Sequence, residues 1–305
     1  MTHETQVSHP EWIARPERSN RLMLQMMTWI SLRLGRGFAR GVLHGIALYF
    51  LCFAPASRRA SRAYLTRALQ RPVRWRDMYR HFFSFATTIH DRVYLVNQRF
   101  DLFEFEMHGE AALSRLLAKG QGLFLLGAHL GSFEVIRAMG RKNPELHVAM
   151  LMLEDNAQKI NAMLATINPQ AVQDIIGLGQ IDSMLQVKAR LDRGEVVGML
   201  ADRTLNDDHL HPVEILGETA YLPEGPFRMA ALLQRPVLFM TGLYLGGNRY
   251  AIHFEPLLDF SSVERGQRDA AVHAGLTRYA ALLEQYCRQA PYNWFNFFDF
   301  WRRPS

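Results

Sequence analysis

Cysteine is nearly absent. Cys52 and Cys287 are the only two in 305 residues, with no C-x-x-C and no histidine close by. That excludes a disulfide framework and a thiolate metal site, and suits buried or half-buried thiols in a reducing compartment. A membrane-length apolar run is also missing. Val42–Ala54 is nearly all apolar, but it is thirteen residues long, is broken by His44 and Gly45, and stops at Pro55. A bilayer needs roughly 20, so this stretch reads as interfacial, re-entrant or core. The polar start Met-Thr-His-Glu-Thr-Gln has no signal-peptide character. There is no internal repeat, no low-complexity run, and no zinc-finger or RNA-binding signature, so nucleic acid is not an expected partner. Gly177-Leu178-Gly179 lacks the third glycine and the preceding strand of a nucleotide fingerprint. Asp207-Asp208-His209-Leu210-His211 fits no defined ligand spacing and reads as a solvated loop, so neither a metal nor a cofactor is expected.

Acidic residues are scarce where basic ones are dense. Lys plus Arg number 35 against 29 Asp plus Glu, a net charge of +6. The excess is concentrated between Arg15 and Arg92, where arginines far outnumber acids. Basic amphipathic segments of this kind suit an anionic membrane surface or an acidic protein. Residues 1–20 read as a loose polar arm. Helical spacing follows over 21–54 (Leu22, Met26, Ile30, Leu34, Phe38), over 56–71 and over 75–98. His81 and His90 on the last of these read as structural histidines.

Beyond residue 103 the pattern changes. Apolar strands (Phe103–Met107, Leu123–Gly127, His147–Leu153, Val196–Ala201) alternate with helices (Glu110–Lys119, Asn156–Ile167, Ile181–Arg193). A hairpin is expected around Gly217-Glu218, then a helix from Pro226. Two strands joined by Gly246-Gly247-Asn248 and a helix over Arg265–Gln289 complete the series. This alternation predicts an α/β fold: a mostly parallel central sheet flanked by helices, preceded by an N-terminal helical region that associates with membrane. The expected division is 1–100 for that region and 101–305 for the α/β domain.

The chemistry concentrates at Leu123–Glu134. A buried strand runs into Ala128-His129-Leu130-Gly131-Ser132, and a helix opens at Phe133-Glu134. Ser132 suits the N-cap and Glu134 the first turn. On one regular helix, residues five apart lie about 140° apart and cannot meet. With His129 on the loop and Glu134 on the first turn they can converge. The carboxylate would fix the imidazole tautomer and leave the second nitrogen free as a base for an alcohol attacking a thioester. Isolated, such a spacing is more often a packed histidine and a solvated acid; the strand–loop–helix context favours chemistry. Hydrolysis through Ser132 is the alternative, though Gly131-Ser132-Phe133 lacks the second glycine of a nucleophile elbow. A non-enzymatic membrane-binding protein is another.

Three further groups stand out. Asp202 and Arg203 end a strand at the same expected sheet edge, where the arginine could hold a phosphate or an oxyanion, or merely pair locally. Glu224 and Gly225, in Pro223-Glu224-Gly225-Pro226, open a helix whose free N–H groups could hold an anion or carbonyl oxygen. The aromatic tail Pro291–Trp301 reads as an interface belt, an acyl-pocket wall, or a C-terminus docked on the core.

Together these stretches resemble the lysophospholipid acyltransferase superfamily, and within it the bacterial lipid A late-acyltransferase (lauroyl/myristoyl) family. The resemblance spans nearly the whole chain. It rests on the basic apolar N-terminal helices, Leu123–Glu134 as the strand and H-x-x-x-x-D/E motif, and Val197–Arg203. It also rests on Ile215–Pro226 as the Leu-Gly…Pro-x-Gly-Pro block and on Asn293–Trp301. That last segment looks more like the shorter homologues associated with aryl-polyene or xanthomonadin-type pigment lipids. The resemblance implies an O-acyltransferase with His129 as base and Glu134 as orienting carboxylate, and with no metal. Its donor would be an acyl carrier protein or CoA thioester. Its acceptor would be a hydroxyl of a membrane lipid or glycolipid, met at the cytoplasmic face of a bacterial inner membrane by a peripheral or monotopic protein.

Overall fold

The computed structural model describes residues 21–142, 147–153, 158, 162, 167–168, 174–179, 182–203 and 209–302. Three helices come first: α1 (Arg21–Phe53), α2 (Pro55–Leu69) and α3 (Trp75–Val96). α1 is kinked at Gly35, which takes φ 81° and ψ 167°. Pro55 stops α1 and starts α2, because proline suits a first helical turn and not a helix interior. The rest alternates: β1 (Glu104–His108), α4 (Glu110–Leu117), β2 (Leu123–Gly127), α5 (Phe133–Lys142), β3 (Val148–Leu153), β4 (Ile175–Leu178), α6 (Ser183–Asp192) and β5 (Val196–Leu200). A hairpin, β6 (Leu210–Ile215) and β7 (Glu218–Pro223), precedes α7 (Gly225–Leu232). The chain closes with β8 (Pro236–Gly246), β9 (Arg249–Asp259) and α8 (Arg268–Gln289).

Among the described residues seven strands form one sheet in the order β1-β9-β8-β2-β5-β3-β4. Every neighbouring pair is parallel except β8 and β9. The predicted α/β class and mostly parallel sheet are therefore present. β4 departs from expectation: Ile175–Leu178 pairs with β3, so a strand does lie there. Four residues, Ile-Ile-Gly-Leu, give too short a pattern to read from sequence. The expected helix over 156–167 falls largely outside the described residues.

Alternation along the central strands divides the core. Phe124 and Leu126 of β2 join one buried cluster with Phe239, Tyr279 and Trp294; Leu123 and Leu125 join the other with Val135, Ile136 and Leu238. A strand buried on both faces is what a continuous apolar run denotes. Tyr64 and Leu65 of α2 and Met78 and Phe82 of α3 belong to the first cluster, so the N-terminal helices share the sheet's core.

Candidate active site

The parallel register of β2 and β5 positions the site. Leu126 pairs with Met199 and Gly127 with Leu200, so both strands end at one edge, and the loops leaving them carry His129 and Asp202. Sites in open α/β sheets form at such carboxyl ends.

The loop after β2 is pinned on two sides. Gly131 N–H donates to Asn293 O at 2.8 Å, and Ser132 N–H donates to Gly242 O of β8 at 2.8 Å. Gly131 takes φ +75°, and a Cβ there would stand 2.1 Å from Gly242 O. Only glycine allows this approach. Phe295 N–H closes the arrangement on His129 O at 2.7 Å.

Held this way, the imidazole meets a carboxylate. His129 Nδ1 donates to Asp202 Oδ1 at 2.8 Å, and His129 N–H donates to Asp202 Oδ2 at 3.0 Å. The C-terminal segment adds two more donors to Oδ2: Trp294 Nε1 at 3.0 Å and Asn296 Nδ2 at 2.9 Å. Four donors explain how a fully buried carboxylate stays charged. Burial alone would raise Asp202, but His129, Arg203 and Trp294 outweigh it and hold the pKa well below the usual carboxylate range. The acceptor-only Asp202 fixes the proton on Nδ1 and leaves the Nε2 lone pair unprotonated. Burial, reinforced by the Arg203 charge, lowers the His129 pKa against the opposing pull of Asp202. The neutral base therefore prevails at neutral pH. The His129 side chain is 29% exposed while that of Asp202 is wholly covered: the imidazole is open to solvent and the carboxylate is not.

Arg203 donates from Nε to Asn296 Oδ1 at 2.8 Å and from a terminal nitrogen to Phe295 O at 3.2 Å. Burial lowers its pKa to about 10, so it remains a cation beside the histidine.

Glu134 sits elsewhere. It opens α5, is buried, and pairs with Arg137 at 3.5 Å on its own helix. The half-buried Arg92 of α3 feels its charge. The expected His129–Glu134 bond is replaced by His129–Asp202. The reason is local: α5 begins at Phe133, and the Arg137 and Arg92 charges attract the Glu134 carboxylate, while the loop after the adjacent parallel strand brings Asp202 to the ring's Nδ1. Asp202, expected to bind substrate, instead accepts from His129. Glu224 and Gly225, at the start of α7, take no part in the hydrogen bonds of this cluster; the Glu224 carboxylate is bonded to Arg228. Ser132 is buried and makes no hydrogen bond to His129. Sequence reasoning does not reach Trp294 and Asn296 as partners of the site. Their signal is two amides and an indole N–H set among aromatic residues, polar groups that must find partners once buried.

A histidine oriented by a buried aspartate, at the carboxyl edge of a mostly parallel sheet with a cation beside it, is an arrangement suited to an enzyme of the α/β class. The comparison with known families makes this specific. The model of the bacterial lipid A biosynthesis acyltransferase family matches residues 21–303, and the chain belongs to that family. Membership makes it an acyltransferase of lipid A-type lipid biosynthesis. No individual curated protein matches the sequence.

Proposed function

We propose that this enzyme moves a fatty acyl chain from an acyl carrier protein or CoA thioester to a free hydroxyl of a membrane lipid or glycolipid, with His129 as general base. His129 Nε2 takes the hydroxyl proton as the oxygen attacks the thioester carbonyl carbon. A C–O bond forms and the negative charge moves to the carbonyl oxygen, beside Arg203. Collapse of the tetrahedral intermediate breaks the C–S bond, and the departing sulfur takes the proton back from His129. No covalent acyl-enzyme is needed, so Ser132 has no role as nucleophile. Asp202 keeps the imidazole in the required tautomer and stabilises the imidazolium. Glu134 holds the start of α5 through the Arg92–Arg137 side, a positioning role.

The hydroxyl is brought by the membrane. α1 turns Ala39, Leu43, Ala47 and Leu51 inward and presents Trp29, Phe38, Leu48 and Phe53 outward, with Phe53 67% exposed. No single helix among the described residues is long and apolar enough to cross a bilayer; α1 from Thr28 and α2 together reach that composition but meet at 95°. An apolar face of this size, flanked by exposed arginines such as Arg33, Arg59 and Arg62, supports a helix pair lying in the interface of an anionic leaflet on the cytoplasmic side.

One observation carries the reading: the half-exposed imidazole with its Nδ1 committed to a buried carboxylate. Purified protein incubated with labelled acyl carrier protein or CoA thioesters and membrane lipid is expected to give an acylated lipid by mass spectrometry. His129→Ala should lower the rate about 10³-fold or more. Transfer by His129→Ala at the wild-type rate would overturn it.

A further inference from the structure

Away from the His129 edge, three side chains from separate elements converge. His211 belongs to β6, Glu224 immediately precedes α7, and His273 lies on α8. His273 Nε2 is 3.5 Å from Glu224 Oε1, and His211 Nδ1 is 3.8 Å from the same oxygen. One nitrogen or oxygen from each of the three lies within 4.8 Å of the other two. The imidazoles stack, with ring centres 4.3 Å apart and planes at 19°.

These separations are too long for good hydrogen bonds. Zinc–nitrogen and zinc–oxygen bonds of about 2.0–2.2 Å set tetrahedral ligand-to-ligand edges of about 3.3–3.5 Å, close to what the two pairs with Glu224 show. The carboxylate is prepared for one ligand. Its Oε2 is occupied by Arg228 Nε at 2.6 Å, Arg228 is braced in turn by Asp269 at 2.8 Å, and Oε1 is left facing both histidines. Such second-sphere support orients a ligating carboxylate.

We infer that His211, Glu224 and His273 form a zinc-binding site that ties the β6–β7 hairpin and the start of α7 to α8. Two imidazole nitrogens and one carboxylate oxygen are a zinc donor set with a fourth position for water, and a poor one for magnesium or calcium. The site is independent of the acyl-transfer reading, since none of its three residues takes part in the hydrogen bonds around His129 and Asp202. It also departs from the metal-free expectation drawn from sequence: only one histidine of the Asp207–His211 run takes part, and its partners lie 13 and 62 positions away.

The full chain, stripped with a chelator, is titrated with zinc sulfate. Bound metal is measured by mass spectrometry after gel filtration, and Tm is followed in parallel. One tightly held zinc per chain and a raised Tm are expected, with magnesium and calcium giving neither. His273→Gln, on a half-exposed helical position, and His211→Gln should each weaken zinc binding about 100-fold and lose the Tm shift. His273→Gln keeps the test readable should the hairpin variant fold poorly. Wild-type protein that emerges without zinc, or a folded His273→Gln that holds as much zinc as wild type, would overturn the assignment.

Discussion

At the scale of single residues, the site depends on groups whose contribution is geometric. Gly131 brings the loop against β8 because it has no Cβ, and Asn293 returns both ends of its amide to Tyr244 while its carbonyl takes the Gly131 N–H. Trp294 is almost wholly buried and spends its indole N–H on Asp202. Trp294→Phe keeps most of the apolar volume and removes one donor to a buried carboxylate, a loss of about 1.5–3 kcal/mol. The folded variant is expected to lose about tenfold or more in acyl transfer, with KM for the thioester little changed. A fall in KM-dependent binding alone would show that the indole serves the substrate. His129 was legible in sequence because a glycine-bounded apolar strand, a histidine and a helix cap fall in order. Its carboxylate partner was not, because Asp202 is 73 positions away and meets His129 only through the pairing of β2 with β5.

At the scale of elements, sequence periodicity located most helices and strands, since each buries a face with its own period. It missed β4, four residues long, and it left the C-terminal segment with three readings. The docked reading is the one observed: Trp294, Phe295 and Phe300 pack inward and an isolated bridge links Leu130 to Trp294. The outward face of α1 belongs to the same scale. Phe38→Asp with Phe53→Asp should leave the fold intact, because both side chains are exposed, and should cut binding to anionic vesicles about tenfold or more in a sedimentation assay. High salt should release the wild-type protein only in part, as apolar contacts are not screened. Unchanged vesicle binding by the double variant would place the membrane contact on another surface.

At the scale of the whole molecule, the N-terminal helices and the C-terminal segment are joined to the site through one buried histidine. His81 Nε2 donates to Trp294 O at 2.8 Å, and its Nδ1 accepts from Ser61 Oγ at 2.9 Å. Burial lowers its pKa from 6.5 to about 4, with the Trp294 carbonyl opposing. A depressed histidine pKa means that the unfolded chain takes up the proton first. Stability is therefore full above about pH 6.5 and falls as pH drops toward 4, by at most about 3 kcal/mol from this residue. Denaturant unfolding of wild type and His81→Gln at pH 7 and 4.5 isolates the contribution: the wild type should lose more on acidification, and an equal loss in both would refute it. Whether Asp202 or Glu134 serves His129 is decided by the pH dependence of acyl transfer in Asp202→Asn and Glu134→Gln, measured on protein shown to be folded. Wild type should rise through a limb below pH 6.5, set by His129. Asp202→Asn should lose about 10²–10⁴-fold and displace that limb. Glu134→Gln should lower stability while leaving the limb in place. An Asp202→Asn enzyme close to the wild-type rate, beside a Glu134→Gln enzyme with the displaced limb, would contradict the assignment to Asp202.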